Sequence, residues 1–137
     1  LEVMQQSQAP LVELLADYGC SACTDVTGFG LLGHLNEMLE ISGDVFVDLQ
    51  IDQVPVMDGA FDLFAQGMSS SLSPGNARAL TKWPAVQGVI AELLIDPQTC
   101  GPLLAAVPSS NAKACLNAMR QIGFRQATQI GLVVEPS

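Results

Sequence analysis

Cys20–Met38 reads CSACTDVTGFGLLGHLNEM, and the change of pattern within it decides the fold. As far as Thr27 the residues are mostly small and polar. Gly28 and Gly30 then let the backbone turn sharply or approach a neighbour closely. Beyond them Leu31, Leu32, Leu35, Met38 and Leu39 recur at i, i+1, i+4, i+7 and i+8, one face of an amphipathic helix. Gly43 bounds that helix. The stretch therefore predicts a tight loop over Thr24–Gly30 feeding a helix that packs on a core.

Outward from this stretch, helical and alternating patterns succeed one another. Residues 1–9 are polar and read as a frayed N-terminal segment. Pro10–Tyr18 carries Leu11, Leu14, Leu15 and Tyr18 at helical spacing, with Pro10 early and Gly19 at the end. Val45, Val47 and Leu49 alternate as in a strand. Residues 57–66 predict a short helix before Gly67. Ser69–Gly75 reads equally as a linker or a shaped loop, and Asn76–Leu80 adds a helical turn. Val89–Ile95 fits a strand or a passage from helix to strand. DPQTCGP, Asp96–Pro102, is a rigid turn, and Leu103–Val107 a strand. Ser109 or Ser110 is placed to cap a helix with Ala112, Cys115, Leu116, Met119 and Ile122 on its apolar face. Ile130, Leu132 and Val134 predict a last strand. The alternation points to one layered α/β (α+β) domain over residues 10–137.

Composition narrows the function classes. A chain of 137 residues, 49% of them apolar, can bury a core. Mean hydropathy is positive, yet charges such as Asp48, Asp52, Asp58 and Asp62 interrupt every candidate span, which argues against a membrane segment. No basic-then-apolar leader is readable. Fourteen acidic against five basic side chains leave a net charge of −9, which repels nucleic acid phosphates and suits cations. Cytoplasmic free thiols are the expectation for the four cysteines, 20, 23, 100 and 115. The Cys20–Cys23 spacing allows zinc or thiol redox chemistry, but no second pair accompanies it, and a packed turn is the plainer reading.

Among the residues that carry chemistry, Asp25 stands out. It lies in a glycine-containing turn between Thr24 and Thr27, before a helix. Such a turn can aim a carboxylate at Mg²⁺ while backbone N–H groups meet phosphate. It can equally close an Asx-turn as a cap, the more ordinary role on spacing alone. Gly28–Gly33 resembles a dinucleotide fingerprint only loosely, because no apolar strand precedes it. His34, the single histidine, falls beside the buried stripe and reads as a hydrogen-bonding core residue rather than a general base.

Three segments together resemble one family. Ala22–Met38, ACTDVTGFGLLGHLNEM, resembles the start of the second domain of selenophosphate synthetases (selenide, water dikinases). Asp96–Pro108, DPQTCGPLLAAVP, is similar to their DPQT turn and following strand. Gly67–Asn76, GMSSSLSPGN, falls where they carry a glycine-bearing loop leading to an asparagine. The resemblance runs over roughly residues 10–135. It implies the fold shared with the C-terminal domain of aminoimidazole ribonucleotide synthetase, a mixed sheet packed with helices and partly ferredoxin-like.

The resemblance also implies an activity for an intact parent: ATP, selenide and water give selenophosphate, AMP and phosphate, in a cytoplasmic transferase that feeds selenocysteine biosynthesis. That parent is expected to be a homodimer without nucleic acid or membrane partners. Its catalytic N-terminal half is not in this sequence, so no catalytic residue is expected here and the domain alone is expected to be inactive. By the same resemblance Asp25 is the one metal ligand, for Mg²⁺. Thr24, Gly28 and Gly30 hold the ATP-phosphate loop, and Asn76 lines the site. Cys100 stands where serine is usual and Pro102 where a second glycine is usual, and proline has neither the N–H nor the backbone freedom that a glycine would offer there. The alternatives are a non-catalytic interaction or regulatory domain of a divergent or fused homologue, and a domain of another ATP-using synthetase of the superfamily.

Overall fold

The computed structural model describes residues 5–83 and 88–136. In chain order its elements are α1 (Ala9–Asp17), β1 (Ala22–Asp25), α2 (Gly30–Ser42), β2 (Phe46–Leu49), a 3₁₀ turn (Ile51–Gln53), α3 (Ala60–Ala65), α4 (Ser73–Arg78), α5 (Val89–Ile95), β3 (Leu103–Ala106), α6 (Ser109–Gln121) and β4 (Gly131–Val134). The α/β class is as expected. Among the described residues the strands pair as two antiparallel ladders. In one, Ala22 faces Ala106 and Asp25 faces Leu103. In the other, Phe46 faces Val134 and Leu49 faces Gly131.

Two apolar clusters hold these pieces. Leu11 and Leu15 of α1 and Cys115 of α6 form the first, with Tyr18, Leu103, Ala105, Val107, Met119 and Phe124 packed around them. The β1–β3 ladder thus lies under α1 and α6. The second joins Leu32 of α2 to Leu94 and Ile95 of α5, covered by Leu49, Val54, Ala77, Leu80 and Trp83. Asn36, 4% exposed, bridges from α2 to the segment after α4: its Oδ1 accepts the N–H groups of Thr81 and Lys82, both at 3.0 Å. A buried amide is tolerated only when so engaged.

Local patterns located most elements, and the differences have physical reasons. The region around Thr24 is the strand β1 as far as Asp25, not loop throughout. Its polar residues carry no apolar alternation, and backbone pairing with β3 makes it a strand. Val89–Ile95, which fits a strand or a passage from helix to strand by its pattern, is instead helical throughout, because Ala91, Leu94 and Ile95 bury one face against α2 and α3. The helical turn expected from Asn76 starts at Ser73, with Pro74 in its first turn, where a missing N–H costs nothing. The serine cap is not formed. Pro108 precedes α6 with no side-chain cap. Residues 1–4 of the expected frayed segment lie outside the described residues.

Candidate functional site

The site is built where the loop after β1 meets the turn after α5. Val26 is 2% exposed and sits between the exposed residues Asp25 and Thr27. Its N–H donates to the Pro102 carbonyl at 2.9 Å. The Thr27 carbonyl accepts from Gly30 N–H at 3.0 Å and Gln98 N–H at 2.9 Å. The two segments thus share a seam of main-chain hydrogen bonds, although about seventy residues separate them in sequence.

Two glycines make that approach possible. A Cβ on Gly30 would lie 2.6–2.9 Å from the backbone of Ile95 and Asp96, and Gly30 is also left-handed, φ +69°. A Cβ on Gly101 would lie 1.9 Å from the Val26 carbonyl oxygen. Pro102 joins the seam through its carbonyl, which proline retains. Cys100, at φ +54°, takes up the left-handed turn just before Gly101.

Asn76, 8% exposed, closes the seam from a third side. Its Nδ2 donates to the Gly28 carbonyl at 3.0 Å and to the Ile95 carbonyl at 2.9 Å. Both amide hydrogens are therefore spent on backbone, and the residue braces the loop against the end of α5. Gly28 itself is exposed, with open space where a Cβ would stand. Thr24 is half-buried in β1, opposite Leu104, and its hydroxyl donates to the Asp25 carbonyl at 3.4 Å.

Asp25 ends β1 with its side chain exposed. Among the described residues its carboxylate makes no hydrogen bond and no ion pair. A free hard-oxygen donor suits Mg²⁺. The described residues offer no cluster of three or more His, Cys, Asp or Glu able to hold a metal, so Asp25 fits as one contribution to a cation site and not as a complete cage. Of two clefts, one of about 480 Å³ is lined by residues away from the seam, such as Leu49, Phe61 and Ile90, and one of about 200 Å³ by Phe29, Asn36, Glu37 and Asn76; Asp25 lines neither.

Three side chains meet in a way that the sequence does not show. His34 Nε2 lies 3.1 Å from Thr27 Oγ1 and His34 Nδ1 lies 3.2 Å from Glu37 Oε2. The helical spacing of His34 and Glu37 was visible, but the return of the loop to His34 was not. Burial was correctly expected of His34, which is 8% exposed.

The cysteines are free thiols. Partial burial pushes the Cys23 thiol above its ordinary range, and the neighbouring Cys20 and Asp25 add to this. Less thiolate means a weaker nucleophile and metal ligand. Cys115 is shifted the same way, again by burial first and then by Cys20. Partial burial also raises the Asp96 carboxyl, with Glu92 adding to it.

The chain matches the family described as AIR synthase related protein, C-terminal domain, over residues 2–137. It is 32% identical over 137 residues to the selenide, water dikinase of Carboxydothermus hydrogenoformans, a match covering 97% of this chain and 39% of that protein. It is 38% identical over 126 residues to the selenide, water dikinase of Geobacter metallireducens, covering 90% and 36%. With that of Photobacterium profundum the identity is 41% over 106 residues, covering 74% and 30%. The chain thus spans about two fifths or less of the length of these relatives. The matched span and the α/β architecture together identify the chain as a member of the AIR synthase related protein C-terminal domain family.

Proposed function

We propose that this chain is the C-terminal domain of a selenophosphate-forming selenide, water dikinase, and that it contributes Asp25 to a Mg²⁺–ATP-phosphate site completed by an N-terminal catalytic domain. The observation that carries the reading is the seam itself. The TDVTGFG loop and the DPQT turn, two of the three segments that resemble the family, meet through Thr27, Gln98 and Gly30, and Asn76 of the third ties the loop to the end of α5, with Asp25 exposed at the edge. The relatives named selenide, water dikinase support the same substrate class.

In this reading Mg²⁺, when bound, offsets the negative charge of the transferring phosphoryl group. The chain's own residues hold one ligand and shape its surroundings. Thr24 and Gly28 shape the loop, Gly30 lets it close on α5, and Asn76 ties it down. The parent is a cytoplasmic homodimer, and residues 10–137 form one unit of it. Asp25→Ala in the full-length parent is expected to abolish selenide-dependent AMP formation, about 10²-fold or more, and the chain by itself to form none. Unchanged turnover and Mg²⁺ dependence in the variant would remove Asp25 from the site. AMP formation by this chain alone would overturn the shared-site reading.

A further inference from the structure

The buried His34 makes two hydrogen bonds that the reading above does not use. Nδ1 faces the Glu37 carboxylate at 3.2 Å, and Nε2 faces the Thr27 hydroxyl at 3.1 Å. An ionised carboxylate can only accept, so Nδ1 carries the proton. With the proton on Nδ1 and the ring neutral, Nε2 accepts and the Thr27 hydroxyl donates inward. Thr27 is exposed, so toward solvent its oxygen has only lone pairs to offer. Its carbonyl meanwhile receives both Gly30 and Gln98. One residue therefore joins the helix α2, the loop and the DPQT turn.

We infer that His34 and Glu37 are positioning residues that fix the polarity of Thr27, making Thr27 Oγ1 an acceptor for the water shell of a divalent cation at Asp25 rather than a donor to phosphate. The inference rests on the proposed Asp25 site for its cation. Its geometry is testable without ATP or selenide, so its failure and the failure of that reading are separable. Hydrated Mg²⁺ presents water O–H donors, which an acceptor-only oxygen meets well. A phosphate oxygen, itself an acceptor, gains nothing there.

Nitrogen-15 NMR of this chain reads the ring directly. The Nδ1–H tautomer is expected at neutral pH, with the preference lost in Glu37→Gln, and a dominant Nε2–H tautomer would overturn the inference. Hydrogen exchange reads the positioning. His34→Gln places an amide near the Nε2 position and keeps the Thr27 contact, whereas His34→Asn keeps only the Glu37 side. The Gly30 and Gln98 amides are expected to exchange about tenfold faster in His34→Asn and Thr27→Val, and within about threefold of the parent in His34→Gln. Equal effects of the Gln and Asn variants, or acceleration spread equally over α6, would overturn it. With Mn²⁺ alone as probe, resonances of Asp25 and Thr27 are expected to broaden first, and less so in Thr27→Val. Broadening shared evenly by the acidic surface would remove the cation from the inference.

Discussion

The two ladders have the same construction, four residues a strand and antiparallel, but opposite surroundings. β1–β3 is held under α1 and α6, and its β1 end runs straight into the seam. β2–β4 leaves Phe46, Leu132, Val133 and Val134 between 41% and 57% exposed, with the Lys82 ammonium 5.3 Å from the Phe46 ring centre. An isolated two-stranded ladder is marginal in water, so each draws its stability from what covers it. The covered ladder can hold a loop in one geometry.

The comparison breaks most sharply at Gly101. Gly101→Ala puts a Cβ into the Val26 carbonyl at 1.9 Å, where backbone and not a flexible side chain must move. A loss of about 3 kcal/mol or more is expected in urea unfolding, and tolerance of alanine would mean that the seam is loose. Leu15→Ala, in the cluster that covers β3, is expected to cost about 3 kcal/mol through lost burial and a cavity. Val133→Thr on the open face, by the same measurement, should stay within about 0.5 kcal/mol. If the two substitutions cost the same, the contrast between the ladders fails.

The smallest effect concerns charge at the seam. The Asp96 carboxyl is raised in the folded chain, so the folded state binds its proton more tightly than the unfolded state. The associated stability is present in acid and is lost as pH rises through the folded-state value. Asp96→Asn should therefore be slightly more stable than the parent at pH 7, with the two converging toward acid. The amide oxygen can still accept from Gln98, whose Nε2 lies 3.3 Å from the native carboxylate. Thermal midpoints at two pH values check the sign.

Much of this was readable locally. The periodicity of Leu31–Leu39 marks α2, and Leu11 and Leu15 mark α1 as an element with a buried face. The family resemblance was likewise carried by short segments as written. Less readable were elements whose residues carry no periodic signal. VIAELLI is apolar nearly all round, so only its packing against α2 and α3 settles it as a helix. The role of Asn76 was placed near the site, but its two carbonyl partners come from different elements, and nothing in SPGN names them.

The sequence by itself determined α1, α2 and α6, because each is written in the spacing of its own apolar residues. It also marked TDVTGFG and DPQT as the informative segments. Tertiary structure alone decided that β1 is a strand, that these two segments form one seam, and that His34 faces Thr27. The physical reason is the same in each case. The contacts run largely through backbone N–H and C=O groups or across a loop closure, and a main-chain donor looks alike in every residue until the fold supplies its acceptor.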